Sequence, residues 1–439
     1  MNGTKVVKFG GSSLADANQF KKVAEIVRAD KSRRFVVASA PGKRFDKDIK
    51  ITDMLYNCYD KASKGDDFEK DFAAIEERYN TIISDLSLDI SLEEEFKFIK
   101  AAFAHSAGRD YAASRGEYLN SILLAKYLGF PFLDTVGLLY FNESGEFDLD
   151  RTISKLGPKL ATLENAVIPG FYGSMPNDTI KTFSRGGSDV TGSIVARAVN
   201  AEIYENWTDV SGFLICDPRI VKNPKPITTI TYRELRELSY MGATVLHEDA
   251  IFPVRTVGIP INIKNTNHPE DPGTMIVAQT VDSSPYTVTG IAGKRGFSVI
   301  NIEKDMMNSE VGFGRNVLRA LEKNNLCFEH IPSGIDTLSV IVSTEAFRGK
   351  EKSVLDEIRV RTHPDNIEIE NNLALVAVVG RGMRKARGTA AKIFTALAQA
   401  KINVKMIDQG SSELNIIIGV AEEDFEEATK AIYNIFVPE

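Results

Sequence analysis

The sequence predicts an α/β protein: a largely parallel sheet covered by helices, followed by two copies of a small α+β module. Three observations carry that prediction. Strand-like and helix-like stretches alternate from Thr4 to Ile263, a Pro-, Asp- and Ser-rich stretch over 265–285 interrupts them, and the remainder repeats itself at an offset of 76 residues. Parallel strands need long crossovers, and crossover helices cover both faces of the sheet they connect.

Taken in order, Thr4–Phe9 is a short β-rich run ending in a Gly-Gly turn, and the segment behind it sets Phe20, Val23, Ala24 and Val27 on one helical face. Phe35–Ala40 is a second buried-strand candidate that stops at Pro41-Gly42. Residues 52–63, 68–86 and 91–107 read as helices. Strands follow at 166–172, 179–183, 201–207 and 259–263, with helices near 188–199, 231–240 and 245–257. The 265–285 stretch is the natural boundary. It gives domains over 1–282, 286–365 and 366–439, with a strand at 286–300 available to complete the sheet of the second module.

Within the last third, the offset lays Val317-Leu318-Arg319-Ala320-Leu321 over Ile393-Phe394-Thr395-Ala396-Leu397, Gly312 over Gly388, Leu326 over Ile402, Ile331 over Ile407 and Gly334 over Gly410. The strand Leu338–Val342 then falls on Leu414–Ile418 without a gap. Agreement across two glycines and three elements marks a repeated unit. Each copy reads strand, Gly turn, helix, strand, Gly turn, strand, helix. Such a pair serves either dimerisation or ligand sensing.

At 439 residues the chain has room for two or three domains, and 43% hydrophobic with 26% charged residues is an ordinary globular balance. Lys plus Arg is 53 against 60 for Asp plus Glu, a formal charge of −7, which argues against a phosphate-backbone binder. No run approaches the length of a membrane span, and the opening MNGTKVVKFGGSSLAD has no secretory apolar core. Cys58, Cys216 and Cys327 are odd in number and far apart, so neither a disulfide framework nor a metal knuckle is expected, and the five histidines have no ligand spacing. The expectation is a reduced, cytoplasmic protein in which the Asn-x-Ser/Thr triplets at Asn2, Asn142, Asn177 and Asn206 are chance matches.

The chain contains no Walker A pattern, no GxGxxG behind a strand, no GxSxG and no HExxH. It does carry Lys8-Phe9-Gly10-Gly11-Ser12-Ser13 between a strand and a helix, where glycines admit a ligand to the backbone and free N–H groups face an anion. Phe183-Ser184-Arg185-Gly186-Gly187-Ser188-Asp189 repeats that arrangement. Arg185 is a fixed cation suited to a carboxylate or phosphate, and Ser188 or Asp189 can serve as a helix N-cap. A third stretch, Trp207-Thr208-Asp209-Val210-Ser211-Gly212 with Cys216-Asp217-Pro218-Arg219, reads either as a strand-end site or as a plain turn. Together these describe a parallel-sheet kinase without a P-loop.

KFGGSSLA, SRGE, FSRGGSDVT, WTDVSGFLICDPR and LSYMGATVLH, in this order, resemble the successive signatures of the aspartate kinases over essentially the whole chain. The resemblance implies the amino-acid kinase fold, with two ACT domains of ferredoxin-like type for the repeat. The implied activity is ATP-dependent phosphorylation of the β-carboxylate of L-aspartate to 4-phospho-L-aspartate, the opening step toward lysine, threonine and methionine, with Mg2+ accompanying ATP. It further implies that Lys8 and the amides of Gly10, Gly11 and Ser12 hold the transferred phosphoryl group, that Asp189 orients the lysine or the substrate, and that Arg185 takes the α-carboxylate and Glu117 the ammonium of aspartate. Ser39 and Thr52 stand where the family has further substrate contacts. Thr208, Asp209, Leu214, Asp217, Arg219, Thr244 and Val245 are the implied nucleotide contacts.

Three features depart from the family. Thr244 replaces a lysine, Leu214 replaces an aromatic residue, and the loop between Ser39 and Thr52 is longer and basic (Pro41-Gly42-Lys43-Arg44-Phe45-Asp46-Lys47), so that Lys43 or Arg44 is available to replace the missing cation. The resemblance also implies a homodimer or higher homo-oligomer through the ACT pair and an amino-acid effector, lysine first and threonine next. Met307, Gly312, Phe328, Ser333 and Gly334 of the first copy are the candidate effector contacts; the second copy offers Gln409-Gly410-Ser411-Ser412. The alternatives are a glutamate or acetylglutamate kinase of the same fold, and an ACT sensor without catalysis. Because the second repeat runs to the end of the sequence, no fused homoserine dehydrogenase is expected.

Overall fold

The computed structural model describes residues 3–184, 186–243, 246, 250–280 and 286–438. The chain divides into two compact units, one made of 1–213, 227–233 and 244–280, the other of 214–226, 234–243 and 281–439.

The first unit opens with β1 (Lys5–Phe9), α1 (Ala17–Ala29) and β2 (Arg33–Ala38), then runs through α2 (Ile51–Ala62), α3 (Glu69–Asp85), α4 (Glu93–Ala104), α5 (Arg109–Leu128) and α6 (Leu149–Ala161). β3 (Ala166–Pro169), a hairpin of β4 (Tyr172–Ser174) and β5 (Ile180–Thr182), α7 (Gly187–Ala198) and β6 (Ile203–Thr208) follow. β7 (Thr229–Thr231), the start of α8 (Tyr232–Tyr240), α9 (Phe252–Arg255), β8 (Ile261–Asn265) and β9 (Thr274–Val277) complete it. Among the described residues the strands form a seven-stranded sheet in the order β3-β2-β1-β6-β8-β9-β7, parallel throughout except between β8 and β9.

After β1 the chain moves to β2 on one side, and β6 later joins β1 on the other. The strand order therefore reverses at β1, and the crevice at the carboxyl ends there is the expected ligand position in an open α/β sheet. Phe20, Val23, Ala24 and Val27 of α1 are buried with Phe9, Leu55, Phe72, Tyr79, Leu119 and Trp207 in one core. Phe9 stacks on Trp207 with ring centroids 6.0 Å apart. Each buried Val, Leu or Phe side chain contributes roughly 1.5–3 kcal/mol by its burial.

Helices α5 and α6 have no counterpart among the sequence expectations. α5 buries Ser114, Arg115, Gly116, Glu117, Asn120 and Ser121 together with its leucines, so it has no polar face to give it an amphipathic signature. α6 carries Pro158 in its last turn.

The second unit holds β10 (Gly290–Glu303), α10 (Phe313–Lys323), β11 (Thr337–Ser343), α11 (Thr344–Phe347), α12 (Glu351–Thr362), β12 (Asn366–Val379), α13 (Thr389–Gln399), β13 (Met406–Asp408), β14 (Asn415–Ala421) and α14 (Phe425–Phe436). One antiparallel sheet in the order β11-β10-β12-β14-β13 joins both copies. The 76-residue shift holds from β10 to β12 and from α10 to α13, and Gly312 and Gly388 both cap their helices at positive φ, +90° and +80°. It does not hold without a gap: β11 and β14 start 78 residues apart and α12 and α14 only 74, so the second copy gains two residues before β14 and loses four after that strand begins. In the first copy the short edge strand is reduced to bridges from His330 to Ile341 and from Ser333 to Leu338.

Two earlier stretches of chain are part of this unit. The Ile291 amide donates to the Ile215 carbonyl (2.6 Å), and the Lys225 amide to the Tyr433 hydroxyl (3.0 Å). Glu234, fully buried, accepts from the Thr289 hydroxyl at 2.6 Å and from the Arg381 amide and guanidinium at 2.9 Å, while Asn415 donates to Glu237 at 2.6 Å.

Candidate active site

The chain leaves β1 at Phe9 and β2 at Ala38, and the two exits must touch. The Gly42 amide donates to the Gly11 carbonyl at 2.8 Å; a Cβ on Gly42 would lie 2.5 Å from the Gly11 carbonyl carbon, so only glycine allows the approach. Beside these exits opens a cleft of 690 Å³, lined among others by Lys8, Gly10, Gly11, Ser12, Ser39, Thr52, Glu117, Asp189, Thr208 and Asp209. A smaller lobe of 300 Å³ shares Lys8, Ser39, Lys50, Thr52, Glu117 and Asp189 and adds Asp53, Phe171 and Gly186–Ser188.

Lys8 is 7% exposed and its ammonium pairs with Asp189 at 2.5 Å. Asn206 holds both: its Oδ1 lies 3.5 Å from the Lys8 Nζ, and its Nδ2 donates to Asp189 Oδ1 at 2.9 Å. Asn206 stands opposite Lys8 in the parallel register of β1 and β6, which turns both side chains to the same face. The sequence reading passed over Asn206 because strand pairing decides its neighbours. Gly186, at φ +56°, is the N-cap of α7, so neither Ser188 nor Asp189 caps the helix, and Asp189 turns to Lys8 instead.

Glu117 is 6% exposed, and its Oε2 is buried without a hydrogen-bond partner. Burial pushes its carboxyl up to about 8; the amides of Ala40 and of Glu117 itself and the charges of Arg115 and Lys8 offset only part of that. A carboxylate of this kind is a socket for a cation.

The basic loop forms part of the cleft wall. Lys43, Arg44, Phe45, Asp46 and Lys50 line it. Arg44 is engaged with Asp48 at 2.9 and 3.1 Å, and Asp48 also pairs with Arg78 at 2.9 Å. These cations hold the Asp48 carboxyl far below the usual carboxylate range. Arg78 is 5% exposed and donates to the Gly42 carbonyl as well, so the loop hangs on a buried guanidinium.

Not every expected residue reaches this cleft. Leu214, Asp217 and Arg219 belong to the second unit, where Arg219 is bound to Asp217 at 2.6 Å; the described cleft-lining residues all belong to the first. The physical reason is that the chain after Phe213 is hydrogen-bonded within the second unit: the Ile215 amide donates to the Lys225 carbonyl at 2.9 Å and the Ile291 amide to the Ile215 carbonyl. Arg185, Thr244 and Val245 lie outside the described residues. In the second unit, the turn at Met307 is tied to the Ser333–Gly334 turn: Met306 donates to Asp336 (2.9 Å) and Asn308 to Ile335 (3.1 Å). Gly312 caps α10 behind that turn. Phe328 lies toward the other end of β11, next to Glu329, which donates to the Ile341 carbonyl at 2.8 Å.

Residues 3–265 match the amino acid kinase family and residues 376–436 an ACT domain. Aspartokinase 3 of Bacillus subtilis is 39% identical over 98% of both chains. The crystal structure of Clostridium acetobutylicum aspartate kinase superposes with a TM-score of 0.90 at 54% identity, covering 99% of this chain and 100% of that one. Escherichia coli aspartokinase III, at 26% identity and a TM-score of 0.75, covers 98% of this chain and 99% of its own in the form with aspartate and ADP (R-state), and 99% of each in the form with lysine and aspartate (T-state). With a parallel sheet whose cleft lies at the strand exits, a C-terminal pair of α+β repeats and similarity along its whole length, the chain belongs to the amino acid kinase family, as an aspartokinase with ACT domains.

Proposed function

We propose that the cleft transfers the γ-phosphoryl group of ATP to the β-carboxylate of L-aspartate. The observation that carries this reading is the unpartnered Glu117 Oε2, buried in the same cleft as Lys8 and the Gly10–Ser12 amides. An ammonium group satisfies Glu117, whereas an acylated amine leaves it orphaned, so a free α-amino acid is favoured over acetylglutamate. Arg185 takes the α-carboxylate, and Ser39 and Thr52 add polar contacts. The Escherichia coli relative with aspartate and ADP supports both substrates.

The β-carboxylate is ionised at neutral pH and needs no general base. Lys8 and the amides of Gly10–Ser12 meet the charge that develops on the transferred group, and Asp189 with Asn206 keeps the Lys8 ammonium in place. Thr208 and Asp209 face the nucleotide. Asp209 and Asp46 are carboxylates of the cleft that would hold Mg2+ arriving with the nucleotide; the ion would supply charge neutralisation, and so few protein ligands suit one that keeps most of its water. Domain boundaries at 282 and 365, a cytoplasmic location, association through the ACT pair and lysine as effector at the tied Met307 and Ser333–Gly334 turns belong to the same reading. The lysine-bound relative supports the last of these.

A coupled ADP-release assay with aspartate, glutamate and acetylglutamate tests it. Turnover with aspartate alone is expected; equal turnover with acetylglutamate would refute the role of Glu117.

A further inference from the structure

We infer that Lys50 is a second catalytic cation, and that its ammonium meets the phosphoryl group as it passes between the two substrates. The inference rests on the kinase reading of the cleft. Six side chains line both the 690 Å³ cleft and the 300 Å³ lobe: Lys8, Ser39, Lys50, Thr52, Glu117 and Asp189. The larger space also touches the Gly10–Ser12 turn and Thr208–Asp209, the smaller one Asp53, Phe171 and the start of α7. The residues common to both mark the ground where nucleotide and acceptor meet, and among those described only Lys8 and Lys50 are cations.

The two lysines differ in what already holds them. Lys8 is neutralised by Asp189 at 2.5 Å. Lys50 is exposed and lines the cleft, and its carbonyl accepts from the Met54 amide (3.1 Å), but its ammonium has no hydrogen bond or ion pair among the described residues. The neighbouring cations are spoken for: Arg44 is fastened to Asp48, and Lys43 donates to the Asp46 carbonyl at 3.3 Å. Arg44 is thus a fixture of the loop, and the charge this longer loop delivers to the shared space comes from its last residue.

The backbone of Lys50 is also fixed. Arg78 donates to the carbonyl of the preceding Ile49 at 3.3 Å, and the amide of the following Ile51 donates to the Pro41 carbonyl at 3.4 Å. Lys50 is the N-cap of the twelve-residue α2, and Thr52 of the first turn lines the same space, so the helix N-terminus adds to the positive potential there.

The step needs that charge. A β-carboxylate oxygen bonds to the γ-phosphorus, the bond from that phosphorus to the β,γ-bridging oxygen breaks, and its electron pair leaves on ADP. No proton moves, so negative charge is redistributed wholly within the site, and a cation placed there before the reaction lowers the barrier.

The test uses the full chain with Lys50→Met and Lys50→Arg, measuring kcat, both KM values, ADP affinity by calorimetry and the melting temperature. Lys50→Met is expected to lower kcat by about 100- to 1,000-fold, the range for losing one preorganised charge contact. ADP affinity should stay within about threefold, and Lys50→Arg should recover at least about a tenth of the lost turnover. Three results overturn the inference: kcat of Lys50→Met within about threefold of the parent, a loss of ADP affinity as large as the loss of kcat, or a folded Lys50→Arg as inactive as Lys50→Met. Lys8→Ala, run alongside, separates the underlying reading: full turnover in that variant removes the kinase assignment of the cleft, whatever Lys50 does.

Discussion

Aspartate should bind this protein more tightly as the pH rises from 6.5 to 8, and Glu117→Gln should erase the trend. In the ligand-free cleft burial holds the Glu117 carboxyl at about 8, while an ammonium partner requires it ionised. About a thirtieth of the sites are ionised at pH 6.5, about a tenth at pH 7 and about half at pH 8, and apparent affinity scales with that fraction. Affinity should therefore increase about 15-fold over the interval, near 1.6 kcal/mol at about 1.36 kcal/mol per tenfold change. The sign follows from the protons: the bound state holds fewer than the free state until the pH passes the free carboxyl's value. Calorimetry at pH 7 in two buffers of different ionisation heat should report release of about 0.9 proton per aspartate bound. The same group opposes folding. Its folded value lies above the ordinary 4.5, so the fold loses stability as pH rises from 4.5 through 8, and Glu117→Gln should raise the ligand-free melting temperature at pH 8 while weakening aspartate binding. An affinity flat between pH 6.5 and 8 with no proton released would refute the reasoning.

Lys8→Ala should reduce kcat by about two to four powers of ten while ADP affinity moves little, measured by steady-state kinetics and calorimetry. Arg185→Ala should cost about 2–5 kcal/mol in kcat/KM for aspartate and leave ATP nearly untouched; equal damage to both substrates counts against it. Ser333→Tyr, at an exposed turn of the second unit, should abolish inhibition by lysine while uninhibited turnover stays within about twofold, read from inhibition curves.

The sequence displayed the glycine-rich turns and their order, because a turn that needs glycine leaves a local mark. Lys8, Glu117 and Asp189 were legible through those motifs. Asn206 was not: it matters only because β6 pairs with β1 in a register that sets it beside Lys8, and register is a long-range property. Arg78 escaped for the same reason, since its partners Asp48 and Gly42 lie 30 and 36 positions earlier. α5 was missed because a helix buried on all sides loses the alternation that announces one. The repeat was found at the correct offset, yet its loops differ by a few residues where only edge strands and surface turns are affected, and loop length is thermodynamically cheap.

The strand of chain that enters the second unit early, at 214–226 and again at 234–243, limits how this enzyme can be divided. A cut at 281–285 separates Thr289, Ile291, Arg381, Asn415 and Tyr433 from the groups they bind at Glu234, Ile215, Glu237 and Lys225. Removing partners from a buried carboxylate such as Glu234 costs about 3–5 kcal/mol, a large part of a domain's net stability. A replacement tail joined to this chain at that junction alone therefore leaves those groups without the partners they have here. A transplanted tail has to bring with it two short pieces of the sequence that precedes it, or meet a host whose pieces already match.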